Sequence, residues 1–289
     1  MTPDPSDHAD ANLRIPLGRN VETGAPVWLD LRAQRLGGHG PHGLLVSGPA
    51  SNGRDLRRSI IEALASLNSV DQLQIWLVDA QPMDAPSQLR EIHTALAEEL
   101  PGSAADQLAP GLAAHDIEYG RTLTMSALPH VRAVVSEPDV SAGVEKLRDL
   151  VDSEIERRGS LLHAAEAMSR DEYLELCRDW PDGPYSAAQM PALVIAVEAF
   201  PALAESPGGQ RVLRRLASVA GIFGIHVLLS TGQLNAMAAY AADFASYRIA
   251  LACDPFTWKL IGLAEPNPPT GAGDGYFATG DTGVHFAFD

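Results

Sequence analysis

The residues with the types and spacing to do chemistry are Gly48, Pro49, Ala50, Ser51, Asn52, Gly53, Arg54 and Asp55. Their two glycines have the spacing of the phosphate loop G-x-x-x-x-G-K-S/T. In that loop, backbone N–H groups cradle phosphates, the lysine bridges the terminal ones and the hydroxyl holds Mg²⁺. Here Arg54 stands in the lysine's place and Asp55 in the hydroxyl's. Arg54 keeps the charge but is a planar fork rather than a compact ammonium. Asp55 is the harsher change. At ~4 Å and an effective dielectric of ~20, a carboxylate facing one phosphate charge costs up to about 4 kcal/mol unless a metal lies between. That is about a thousandfold in affinity. An ordinary strand-to-helix turn that binds nothing is the alternative reading of the same eight residues.

The loop needs a strand before it and a helix after it, and the sequence supplies both. Gly43 to Ser47 is a short apolar run suited to a buried parallel strand. From Asp55 to Leu67, Leu56, Ile60, Leu64 and Leu67 recur at helical spacing. A helix N-terminus behind a glycine turn is a natural place for an anion.

Composition limits what surrounds this unit. A chain of 289 residues with 46% hydrophobic content can bury the core of one large α/β domain. The net charge of −16 argues against nucleic acid as a partner, because backbone recognition needs clustered Lys and Arg. Arg54, Arg57 and Arg58, and likewise Arg211, Arg214 and Arg215, read as solvated helix faces. Cys177 and Cys253 are far apart without metal-ligand spacing, which fits a reducing compartment. The start is polar and no stretch approaches the ~20 apolar residues of a membrane span, so no membrane insertion is expected.

Residues 1–12 read as a disordered polar tail and residues 13–289 as a single domain. Short strands are expected at Ile15 to Gly18 and Val27 to Leu31, then at Leu73 to Asp79 and Val131 to Val135. The acidic, alanine-rich segment between the latter two, broken by prolines, reads as a partly helical excursion. Long helical spacing follows from Val144 to Leu162, with a second piece from Asp171 to Trp180. Ala192 to Glu198 is continuously apolar, as a strand covered on both faces must be. A helix over 209–220, strands His226 to Thr231 and Tyr247 to Ala252, and a C-terminal hairpin of Gly275 to Ala278 with Val284 to Ala287 complete the pattern. Strands separated by helices give a mostly parallel sheet with helices on both faces and ligands at the strands' carboxyl ends.

An ordered set of landmarks carries a resemblance: Pro16-Leu17-Gly18, Trp28 to Leu31, Gly40-Pro41-His42-Gly43, Leu77-Val78-Asp79, Leu128 to Val131, Gly224 to Leu229 and Ser246-Tyr247-Arg248-Ile249. In this order they resemble FtsK/SpoIIIE-type ATPase domains, most of all the EccC ATPases of type VII (ESX) secretion systems. The resemblance implies a RecA-like P-loop NTPase core with N-terminal β strands and a C-terminal edge hairpin. It also implies ATP and Mg²⁺ as ligands, and neighbouring ATPase domains and other secretion components as partners. The C-terminal segment of a WXG100-type substrate is a further implied partner, and the implied location is cytoplasmic, membrane-associated through a larger complex.

The departures from that family matter equally. Its Mg²⁺-shell Asp and catalytic Glu correspond to Glu198 and Ala199; Glu198 retains reach to a metal through water, whereas Ala199 cannot act as a base. Loss of a general base costs about 10² to 10⁴ in rate. The family's polar sensor Gln corresponds to Gly232, flanked by Thr231 and Gln233, and its later Arg to Ala252. Asp79 is kept, but Ala80-Gln81-Pro82-Met83 replaces Phe-Lys-Gly-Gly, and residues 84–122 form an acidic insertion foreign to the pattern.

Other constellations are weaker. His39 and His42 sit in a glycine loop without thiol or carboxylate partners at ligand spacing, and no metal site of the chain's own is expected. His226 opens a buried strand and reads as a core histidine. Ser47, Ser51 and Ser59 lack a nucleophile-elbow context, and Cys177 has no readable activator. Two functional classes remain. One is a degenerate ATPase domain acting as a structural, regulatory or substrate-binding module, with weak or no hydrolysis. The other is an active, divergent translocase of protein or DNA, with Arg54 and Glu198 replacing the usual groups.

Overall fold

Alternation of side chains along each strand decides which layer a residue joins, and the central strands have apolar residues on both sides. The computed structural model describes residues 10–48, 52–80, 125–137, 139–232, 234, 243, 245–263, 271, 273–280 and 282–288. The expected tail up to residue 9, the 84–122 insertion, Pro49 to Ser51 and Gln233 lie outside the described residues.

The chain begins with β1 (Arg14–Asn20) and β2 (Pro26–Asp30), an antiparallel pair, followed by β3 (His42–Ser47). Helix α1 (Gly53–Ser66) follows the loop, and β4 (Leu73–Asp79) and β5 (Val131–Ser136) come next. Helices α2 (Val140–Ala164) and α3 (Arg170–Asp179) lead to β6 (Ala192–Glu198). The short α4 (Pro201–Glu205), then α5 (Pro207–Phe223), β7 (Ile225–Thr231), β8 (Tyr247–Leu251) and the short α6 (Pro255–Leu260) precede the hairpin of β9 (Asp274–Thr279) and β10 (Thr282–Ala287).

Among the described residues these strands make one sheet in the order β2-β1-β10-β9-β8-β3-β7-β6-β4-β5. From β8 to β5 every neighbouring pair is parallel. The C-terminal hairpin forms as expected and pairs antiparallel with β8, so it stands at the edge of the parallel half. The sheet does not end there: Arg19 and Asn20 of β1 pair with Ala287 and Phe286 of β10, and β2 becomes the outer strand.

The two layers separate by strand parity. Leu193, Ile195 and Val197 of β6 pack with Leu147 and Val151 of α2 and with Val212 and Leu216 of α5. Ala192, Val194 and Ala196, on the opposite face, join Leu56, Ile60 and Leu64 of α1. Caps fix the helix starts. Asp139 accepts the Ala142 N–H before α2, and Ser206 accepts the Gly209 N–H before α5. Gly224 closes α5 in the left-handed conformation and turns the chain directly into β7. A third cluster, Tyr173, Leu174 and Cys177 of α3 with Leu162 and Met190, seats α3 against the end of α2.

Candidate functional site

Parallel strands bring their carboxyl ends to one side of the sheet. Ser47-Gly48, Asp79-Ala80, Glu198-Ala199, Thr231-Gly232 and Leu251-Ala252 therefore stand side by side. Asp79 is in direct register with Glu198, and Ser47 with Leu251. Parity places Ser47, Asp79, Glu198 and Ser230 on the face that carries α1, two residues beyond Leu45, Leu77, Ala196 and Leu228 of that layer.

The two glycines of the loop are required by close approach of the chain to itself. The Gly48 N–H donates to the Leu251 carbonyl at 3.1 Å, and a Cβ at position 48 would lie 1.9 Å from the Ala252 oxygen. A Cβ at Gly53 would lie 2.2 Å from Ser47 Cβ. Gly48 is thus pressed against the chain just after β8 and Gly53 against the Ser47 side chain at the end of β3.

Three of the sequence-selected residues at the start of α1 face different surroundings. Asn52 is the N-cap position without a side-chain capping bond, and it is exposed, as is Arg54. Asp55 lies in the first turn, half-exposed, with Arg58 Nη2 3.5 Å from its Oδ1. A carboxylate there interacts favourably with the positive end of the helix dipole, the role an anionic ligand would otherwise fill.

Arg57 departs from expectation. The sequence grouped it with Arg54 and Arg58 as a solvated face, but its side chain is 5% exposed and its Nε lies 2.7 Å from Glu198 Oε2. The reason is its position on α1: Gly53, Leu56, Arg57, Ile60, Ile61 and Leu64 form the inward stripe. Glu198, expected to reach a metal through water, is held by protein groups. Besides Arg57, Ser230 Oγ is 3.1 Å from Glu198 Oε2 and 3.0 Å from the Val197 carbonyl, to both of which it donates. The Glu198 carbonyl in turn accepts the Ala80 N–H at 3.2 Å. Sequence reasoning missed both Arg57 and Ser230. The helical spacing of Arg57 with Gly53 and Ile61, four residues away on either side, was the readable signal for the first.

Ala199 follows Glu198 at φ +50°, and Ala252 follows β8 at φ +26°, both in the left-handed region. Thr231 is buried, with its backbone oxygen 3.5 Å from Ser47 Oγ, while Gly232 is exposed.

The remaining candidates lie apart. His39 Nδ1 accepts the Asp30 N–H at 3.0 Å, and its ring meets Phe277 edge-on, so it is a structural residue of the β2 end. His42 and His226 are buried at the opposite, amino ends of β3 and β7. Burial lowers their pKa values to about 4 and about 3. Burial raises the pKa of both thiols, Cys253 to about 11. Among the described residues no group of three or more His, Cys, Asp or Glu is arranged to hold a metal.

No family model matches the chain. Sequence relatives do. EccCa1 of the ESX-1 secretion system of Mycobacterium tuberculosis (strain H37Rv) is 26% identical over 237 residues, 77% of this chain and 26% of that protein. The ESX secretion system protein EccC of Thermomonospora curvata is 26% identical over 277 residues, 92% of this chain and 18% of that protein. The chain is EccC-like.

Solved structures agree on the fold of this EccC-like domain. The cytoplasmic domain of the Thermomonospora curvata type VII secretion ATPase EccC superposes with a TM-score of 0.74 at 23% identity, over 99% of this chain and 29% of that one. EccC ATPases 2 and 3 of the same organism, in complex with a signal sequence peptide, superpose with a TM-score of 0.56 at 15% identity, over 96% and 41%. The fold is that of the RecA-like P-loop ATPases, and the chain spans about a quarter of the Mycobacterium EccCa1 and under a fifth of the Thermomonospora EccC. No helix among the described residues is long and apolar enough to cross a membrane.

Proposed function

We propose that this EccC-like domain is a module of a type VII secretion assembly that keeps the ATPase fold and has weak or no ATP hydrolysis. The observation that carries the reading is the end of β6. Its one carboxylate, Glu198, is engaged by Arg57 and Ser230, and the next residue, where water must be activated, is the methyl side chain of Ala199. Phosphoryl transfer depends almost wholly on positioned charge and a positioned nucleophile. Here neither is supplied by the groups that supply it in the family pattern.

The described residues do not fit Mg²⁺-ATP well. The position of the metal-binding hydroxyl is the carboxylate of Asp55, paired with Arg58. The carboxylate on the metal side already faces a guanidinium. What the domain retains is a closed α/β body with a full core on both sheet faces. Such a body serves as a fixed neighbour for other ATPase domains, or presents a groove to an apolar or C-terminal peptide segment, and neither role needs the lost groups. The signal-sequence complex of EccC ATPases 2 and 3 makes peptide recognition the natural substrate-side reading. Its place would be the cytoplasmic side, joined to the membrane through a larger complex.

The test is phosphate release by the purified domain with ATP and Mg²⁺, against a mock preparation. No release above the mock, in the wild type and in Ala199→Glu alike, is expected. Robust Mg²⁺-dependent release abolished by Arg54→Ala would favour the divergent translocase instead.

A further inference from the structure

Glu198 and Asp79 end neighbouring parallel strands in direct register and on the same face. Adjacent strands run about 4.8 Å apart, so two carboxylate-bearing residues are held close together at this edge. Two carboxylates held this close attract a cation to their side of the sheet. In a metal-nucleotide site that cation comes from solvent. Here α1 brings one from within the chain: the Arg57 side chain, 5% exposed, reaches Glu198, 15% exposed, at 2.7 Å. Neither charge tolerates burial without the other, so each fixes the other's position.

We propose that Arg57 is a built-in counter-cation that closes Glu198, the strand-end carboxylate of β6, to divalent metal ions, and that its removal opens Glu198 to Mg²⁺-class cations. The inference rests on the reading that the site no longer serves Mg²⁺-ATP, and adds the residue responsible for excluding the metal. Hard divalent cations take carboxylate and hydroxyl oxygens, and Ser230 and Ser47 lie on the same face as the two acids. Replacing an adjacent positive charge by a neutral group removes a direct electrostatic repulsion of the incoming ion, worth about a hundredfold or more in affinity.

The probe is Mn²⁺ alone, without nucleotide, followed by thermal unfolding and by the loss of the free-ion paramagnetic resonance signal. The wild type is expected to show no Mn²⁺-dependent change in unfolding midpoint. Arg57→Ala is expected to unfold earlier, to recover with millimolar Mn²⁺, and to bind the ion about a hundredfold more tightly than the wild type. Arg57→Ala combined with Glu198→Gln should lose that response. Where Arg57→Ala does not fold, Arg57→Met, which keeps the apolar stem, is read in the same way, and recovery of folded protein only when Mn²⁺ is present supports the proposal. A wild-type Mn²⁺ response abolished by Glu198→Gln would overturn it. So would a Mn²⁺-indifferent arginine variant, folded or not. Phosphate release is read separately, so failure of the functional reading and failure of this inference give different results.

Discussion

Ala199 and Ala252 turn the chain out of β6 and β8 at φ +50° and +26°, where an L-residue with a Cβ is strained by about 1–2 kcal/mol. Both are positions at which the sequence resemblance expects functional side chains, a catalytic Glu and an Arg. On the proposed reading the unusual backbone is kept while the side chains of the family pattern are not. Glycine relieves the strain at some entropic cost, so Ala199→Gly is expected to raise stability by roughly 1 kcal/mol, measured by urea unfolding. A loss of stability there would mean that the methyl group makes contacts worth more than the strain. The same geometry explains why adding an acid by Ala199→Glu is a poor route to activity: the new side chain inherits a strained backbone beside a carboxylate already paired with Arg57.

The elements were largely legible. Strands β4 and β6 and helix α1 fall within two residues of their sequence expectations, because continuous apolar runs and 3.6-residue spacing report burial on two faces and on one. The short helices α4 and α6 were not foreseen, being too brief for periodicity to show. Both begin with a proline just inside the N-terminus, a local cue that fits a first helical turn. At the site, Gly48 and Gly53 were singled out by their spacing and Glu198 by the family resemblance. Arg57 and Ser230 were not, because charge is normally a sign of solvent and only tertiary packing shows when it is not. At this scale α6 offers a clean test. Asp254 accepts N–H bonds from Phe256 at 2.9 Å and Thr257 at 3.0 Å and the Thr257 hydroxyl at 2.6 Å. Asp254→Ala is expected to cost about 1 kcal/mol in urea unfolding, whereas Asp254→Asn keeps most of the cap.

Over the whole molecule, acid sensitivity should come from the amino ends of the parallel strands, far from the loop. His42 stands in register with Val227, the neighbour of His226; both imidazoles are buried, and His226 also lies near Arg170 and Arg158. Their folded pKa values, about 4 and about 3, lie below the ordinary 6.5. The unfolded chain therefore binds more protons than the folded one below 6.5. Stability is complete above that pH and falls as the pH drops toward 4, with a limiting slope of about 1.4 kcal/mol per pH unit for each histidine. Urea midpoints across this range should flatten in His226→Gln, and an unchanged slope would assign the acid sensitivity elsewhere. On the proposed reading, the RecA-like body is kept while the carboxylate that ends β6 is occupied by Arg57. Thermal unfolding of the wild type with and without Mg²⁺-ATP tests this most directly. The account predicts no concentration-dependent rise in midpoint, whereas a ligand at 100 times its Kd would add about 2.7 kcal/mol. A saturable rise that disappears in Arg54→Ala would contradict it.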